Sequence, residues 1–301
     1  MTAYAEKLLS QESELRALRE AIQVRLDELL PAGGERDMVR AAMREGALAP
    51  GKRIRPLLLI LAARDLGCET PHQGLLDLAC AIEMIHAASL ILDDIPCMDD
   101  ALLRRGRPTI HRQFGENVAI LAAVALLSHA FGVVAAAEGL SSQCRNQAVA
   151  ELSGAVGLQG LVQGQFLDLN EGSNARSPEA IATANDLKTS VLFGATLQMA
   201  AIAADAPLAV RQKLRCFAED LGQAFQLLDD LADCQSGTGK DLNKDHGKST
   251  LVAMLGAEAV HQRLHEHLRN ADEHFAYACR DGVATRQFMH AWFNQQLASF
   301  R

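Results

Sequence analysis

An apolar run that ends in four aspartates constrains this 301-residue chain more than any other feature of it. In LILDDIPCMDDALLRRGRP (90–108), Asp93, Asp94, Asp99 and Asp100 fall within eight positions, and Arg104 and Arg105 follow at once. Carboxylates crowded at the end of a buried-looking segment repel one another unless a cation lies between them, and the paired arginines call for an anion. A metal ion and a phosphate group would answer both demands. The apolar stretch before them must therefore pack inside while its charged end reaches a mouth where such groups can meet.

The rest of the chain reads as helix. Leu15, Leu18, Ile22, Leu26 and Leu29 recur at spacings of three and four, an amphipathic first helix that Pro31 and Gly33-Gly34 terminate. After the loop APGKRIRP, Pro56 suits the first turn of a helix ending at Gly67, and Pro71 opens another that runs to about Asp94. Residues are 49% hydrophobic but only 4% aromatic, so the core is built from Ala, Leu, Ile and Val, a mixture that favours helices. Val118 to Ala137 is long enough to span a bilayer at ~20 residues. It is rich in alanine, carries Ser128 and His129 at its middle and is flanked by Glu116 and Glu138, so it reads as the central helix of a soluble core. Strand alternation is hard to find, loops fall at 171–179, 204–207 and 235–250, and no repeat or composition break divides the chain. The expectation is one all-α domain over 1–301, with ten or more helices.

A net charge of −8 argues against a nucleic-acid partner, and any anionic ligand must be held by a local basic cluster. The seven cysteines are odd in number, scattered and never spaced C-x-x-C, which excludes a disulfide framework or a zinc site and suits a reducing cytoplasm. The amphipathic N-terminus has no signal peptide, and no transmembrane segment is expected.

Glu83, His86, Leu90 and Asp93 share one helical face, which sets His86 on the aspartates' stripe. In a straight helix Asp99 would be rotated about 120° from Asp93, but Pro96 breaks the helix, and a bulge could bring the two together. A second cluster lies in GQAFQLLDDLAD, where Asp229 and Asp233 are stacked one turn apart with Gln226 a turn earlier. Neither cluster has the glycine and glutamate of a calcium loop. Hard oxygen ligands too few to complete a shell suit Mg²⁺. Basic residues beside the clusters then read as phosphate partners: Lys52, Arg53 and Arg55, Arg104 and Arg105, Lys188 with Thr189, and Lys240 with Lys248.

GKRIRP, DDIPCMDDALLRRGRPT, GQFLDL, KTS, and FQLLDDLAD with TGK and GKST occur in an order and spacing that resemble those of the trans-isoprenyl diphosphate synthases, over almost the whole chain. Cys97 and Met98, two extra residues between the first aspartates, make it similar to the bacterial and plant geranylgeranyl diphosphate synthases. The resemblance implies an all-helical isoprenoid synthase fold with central helices around a deep cavity, a homodimer, and aspartate motifs facing each other across Mg²⁺, three ions per active site. By position it assigns Asp93, Asp99, Asp229 and Asp233 to the metals. Arg104, Lys188, Thr189, Gln226, Lys240 and Lys248 would hold an allylic diphosphate, and Gly51, Lys52, Arg55, His86 and Arg105 isopentenyl diphosphate.

The implied reaction is ionisation, condensation and elimination: dimethylallyl, geranyl or farnesyl diphosphate is extended by isopentenyl diphosphate to C20 geranylgeranyl diphosphate, a precursor for carotenoid biosynthesis. Ala88 and Ser89, five and four positions before Asp93, are small where synthases that stop at fifteen carbons carry a ring, and Met84 and Ile85 are candidates for the next floor. A farnesyl diphosphate synthase (C15) is the nearest alternative. A class I terpene cyclase would need only one diphosphate site, and a non-catalytic partner subunit would show eroded motifs; the chain has two basic sets and intact aspartates.

Overall fold

A computed structural model describes residues 3–32, 37–70, 72–171, 177–233 and 251–298. The first helix, α1 (Ala3–Leu29), buries Leu18, Ile22 and Leu26 on one stripe, and the chain leaves it just before Pro31. A helix the periodicity did not reveal follows, α2 (Met38–Leu48), capped by Asp37, whose Oδ1 accepts from Arg40 N at 3.1 Å. The helices α3 (Ile54–Asp65) and α4 (His72–Asp93) form the centre, with the middle of each buried on every side.

Beyond the first aspartates come a two-residue-per-strand hairpin, β1 (Leu103–Arg104) with β2 (Arg107–Pro108), and α5 (Ile110–Phe114). The hairpin is the one strand pair among the described residues. It departs from an otherwise all-α architecture.

Against α4 packs α6 (Glu116–Ala136), and α7 (Ser142–Val156), α8 (Leu161–Glu171) and α9 (Pro178–Asn185) follow it in the chain. A π turn, Asp186–Ser190, joins α9 without a break to α10 (Val191–Ala203). Then follow α11 (Leu208–Asp233), α12 (Leu251–Leu255), α13 (Ala257–Ala278) and α14 (Ala284–Ala298). Asp65 fixes α14 by accepting from Ala284 N and Thr285 N at 3.2 and 2.8 Å. Asp272 on α13 holds it further along, paired with Arg286 and His290.

Both α4 and α6 are long and apolar enough to cross a membrane, but 78% of the α4 window is buried inside the protein. The expected central role of α6 needs correction. It covers α4 with Ala119, Ala122, Ala123, Leu126 and Ala130, yet its other face leaves Ile120 (41%), Leu121 (54%) and Val124 (56%) exposed. Being apolar all round, its sequence could not tell a central helix from one with an uncovered side. Among the described residues Cys68, Cys80, Cys97, Cys144, Cys216 and Cys279 are free thiols, as their scatter implied.

Candidate active site

α4 ends at Asp93, just ahead of Pro96, which has no N–H to continue it. The chain turns back, so that Asp99 N donates to Asp93 O at 2.9 Å and Ala101 N to Asp94 O at 3.0 Å. This is the bulge that returns the second aspartate pair to the first. Burial, reinforced by Asp99 and Asp94 and opposed by Lys188 and Arg104, raises the Asp93 carboxyl to about 6. Asp94 has a different task. It is buried and takes a fork from Arg104, whose Nε lies 2.9 and 2.8 Å from its two oxygens and whose Nη2 lies 2.6 Å from Oδ1.

Arg105 and Gly106 form the two-residue loop of the hairpin, both with positive φ, 53° and 75°. Arg105 Nη1 donates to Pro50 O at 2.9 Å, lying so close over Gly51 that a Cβ there would come within 2.6 Å of it. Gly51 therefore serves the loop by having no side chain.

Arg53 is the clearest correction among the phosphate partners. Its backbone takes φ 50°, its side chain is buried and ion-paired with buried Glu83, and Nη2 donates to Gln23 Oε1, Ala47 O and Ala49 O at 2.8, 3.0 and 2.9 Å. It anchors the loop from inside, its charge met by Glu83.

Arg55 is placed otherwise. Its guanidinium lies 4.4 Å from the Phe193 ring centre, and its buried Nε has no hydrogen-bond partner. Burial lowers its pKa to about 10, against the pull of Glu83 and with that of Arg105. Burial, and then Arg55, Arg105, Arg104 and Arg53, hold the His86 imidazole well below its usual range, so it is neutral. Lys52, exposed at the rim, donates to Gln296 Oε1 at 2.5 Å. Lys52, Arg55 and Arg105, with neutral His86 beside them, make a cationic wall.

The opposite side is built on the π turn. Lys188 Nζ pairs with Asp168 at 2.6 Å, and Thr189 Oγ1 donates to Gln226 Oε1 at 3.2 Å, whose Nε2 donates to Asp230 at 3.0 Å. Two glycines let the neighbouring helices close on this turn: a Cβ on Gly164 would lie 2.5 Å from Lys188 N, and one on Gly222 2.1 Å from Ser190 Oγ. π turns of this kind are frequent at functional sites.

Lys188 acts electrostatically on Asp93, and Asp229 on Lys52, so the α4 end, the π turn, the α11 end and the GKRIRP loop border one space. Asp229 is exposed toward solvent at the α11 end. The Asp233 side chain, Lys240 and Lys248 lie outside the described residues. On the α4 stripe His86, Ser89 and Asp93 are partly accessible while Ala88 is enclosed at 0% exposure, and Ser89 Oγ donates to His86 O at 2.9 Å. Asp168, Glu83, Trp292 and Gln296 carried no assigned role in the sequence. Only Asp168, inside GQFLDL, lay in a motif that could have pointed to it.

Among the described residues no three His, Cys, Asp or Glu side chains converge to hold a metal by themselves. Two separated pairs of hard oxygen donors instead suit an ion that takes one or two carboxylates and completes its shell with water and phosphate.

Residues 36–280 match the polyprenyl synthetase family. The chain is 65% identical over 278 residues to a geranylgeranyl diphosphate synthase of Pantoea ananas, covering 92% of each protein. It is 56% identical to one of Pseudescherichia vulneris, over 97% of this chain and 95% of the relative. It also superimposes on a crystal structure of a Helicobacter pylori geranyltransferase complexed with magnesium and isoprenyl diphosphate, with a TM-score of 0.84, 26% identity, and coverage of 96% and 98%. Motifs, helical frame and relatives agree, and the chain belongs to the polyprenyl synthetase family.

Proposed function

We infer that the protein is a geranylgeranyl diphosphate synthase, extending allylic diphosphates with isopentenyl diphosphate to twenty carbons. The observation that carries this reading is the pair of unlike diphosphate surfaces around one space: a cationic wall on the GKRIRP side, and aspartates with Lys188 on the other. The high identity to the Pantoea and Pseudescherichia enzymes supports the C20 product.

Asp93, Asp99, Asp229 and Asp233 would hold Mg²⁺, three ions in the full site, and a cation there would offset the burial that raises the Asp93 carboxyl. Bound Mg²⁺ would supply Lewis-acid stabilisation of charge on the leaving diphosphate. Lys188, Thr189, Gln226 and Arg104, with Lys240 and Lys248, orient the allylic diphosphate and stabilise it as its C–O bond breaks and the electron pair leaves with it. Gly51, Lys52, Arg55, Arg105 and neutral His86 hold isopentenyl diphosphate, whose double bond attacks the allylic C1. A proton from its C2 then passes to the released diphosphate. The apolar walls keep water from the cation.

The uncovered α6 face with Ile120, Leu121 and Val124 supports a homodimer, since a second copy would bury it, and the free thiols among the described residues suit a cytoplasmic location. Incubation with Mg²⁺, isopentenyl diphosphate and each allylic starter, followed by chromatography of the dephosphorylated products, tests activity and length together. Geranylgeraniol is expected; farnesol as the main product would favour the C15 reading. Asp93→Ala or Asp229→Ala should cut turnover by about 10²-fold or more with the helical spectrum retained.

A further inference from the structure

The cations around the space are held in two different ways. Arg53, Arg104 and Lys188 are each paired with a carboxylate, from Glu83, Asp94 and Asp168. Lys52 and Arg55 rest on aromatic rings instead: Lys52 Nζ lies 5.1 Å from the Trp292 ring centre and Arg55 Cζ 4.4 Å from that of Phe193. Those two rings are the ends of one ladder. Phe193 on α10 meets Phe225 on α11 at 4.8 Å, and Phe225 stacks on Trp292 of α14 at 4.3 Å and 21°.

One turn along α14, Gln296 gives Lys52 an oxygen partner that is a neutral amide. The C-terminal helix thus supplies both contacts to an exposed ammonium about 240 residues earlier in the chain.

Resting on the isopentenyl-site reading above, we propose that Trp292 and Gln296 are positioning residues that set the affinity for isopentenyl diphosphate by holding the Lys52 ammonium where its diphosphate binds. A lysine stem loses much rotamer freedom when it engages a ligand, and a π face with a neutral acceptor prepays part of that loss. A carboxylate would prepay it too, but it would compete with the incoming anion. A ring and an amide leave the ammonium's charge unneutralised, so exchanging Gln296 Oε1 for a diphosphate oxygen is downhill.

Trp292 is the only tryptophan in the chain, so tryptophan emission comes from this position. With metal chelated by EDTA, isopentenyl diphosphate titrated into the full-length protein should change the emission as Lys52 moves off the indole, and Lys52→Met should abolish the change. In steady-state assays Trp292→Leu and Gln296→Ala should each raise KM for isopentenyl diphosphate by about two- to fivefold, leaving kcat and the allylic KM near wild type. Trp292→Phe keeps the ring and should restore most of the affinity, which a merely structural loss would not. An unchanged isopentenyl KM in Gln296→Ala and Trp292→Leu, where Lys52→Met raises it, would overturn this inference alone. So would an equal rise in both KM values, or an emission change that survives Lys52→Met. A wild-type protein that turns over no isopentenyl diphosphate would overturn the functional reading, and this inference with it.

Discussion

Removing the Glu83 carboxylate should destabilise the protein through a residue that never touches substrate. Glu83 is 5% exposed and Arg53 6%, so Glu83→Ala leaves a guanidinium charge enclosed without its counterion. Breaking such a pair costs about 3–5 kcal/mol. The three oxygens on Arg53 Nη2 remain, from Gln23, Ala47 and Ala49, which places the loss at the lower end, about 3 kcal/mol. Glu83→Gln keeps an acceptor and should cost about 1–2 kcal/mol. At about 2 °C per kcal/mol for a large domain, Tm should fall by about 6 °C in the alanine variant and about 3 °C in the glutamine variant. Glu83 is also the carboxylate that opposes the lowered pKa of Arg55 and of Arg105. Its loss should therefore raise KM for isopentenyl diphosphate as the cations around that site spread. Thermal unfolding followed by far-ultraviolet circular dichroism at one scan rate, near neutral pH, reads the first effect. The double variant Arg53→Met with Glu83→Leu should recover most of the Tm, because neither charge is then left buried. A Glu83→Ala protein that melts within a degree of wild type would refute the anchor and return Arg53 to the ligand side.

Product length should respond to the α4 stripe: Ser89→Phe or Ala88→Tyr places a ring near where the chain descends, and filled space does not admit five more carbons without strain. Farnesol should replace geranylgeraniol in the dephosphorylated products, and a variant that still makes mainly twenty carbons would put the floor elsewhere. For pH, Arg286 first and then His290 hold Asp272 below the usual carboxylate range. That stabilisation is complete above the ordinary carboxylate pKa and is lost as pH falls through the depressed folded value. The α13–α14 contact should therefore loosen in acid, seen as a Trp292 emission change that Asp272→Asn produces already at neutral pH.

Sequence periodicity was enough for α1, which needs one apolar stripe, and Leu18, Ile22 and Leu26 sit inside as their spacing requires. The bulge after Asp93 was legible as well, since Pro96 forbids the alternative. Arg53 was not. Next to Lys52, two residues from Arg55 and chemically their equal, it is turned inward by a left-handed backbone toward a carboxylate thirty residues away. The Trp292 and Gln296 contacts with Lys52 were equally hidden, because no local pattern records which distant helix comes to rest over a loop. The short helix α2 and the exposed side of α6 escaped for a related reason: both depend on what else is nearby.

The π turn at Asp186–Ser190 leaves α9 and α10 as one unbroken helical rod whose two halves are out of phase by the extra residue. Ala182 O accepts from Gln223 Nε2 at 2.8 Å on one side of the turn, and Phe193 meets Phe225 on the other, so both halves are in step with α11 only because the offset lies between them. Were the turn to become regular α-helix at unchanged length, one half would rotate against α11 by about 100°, and only the other could keep its contacts. The segment carrying Lys188 and Thr189 is thus held in its wide turn by the contacts on either side of it rather than by its own side chains.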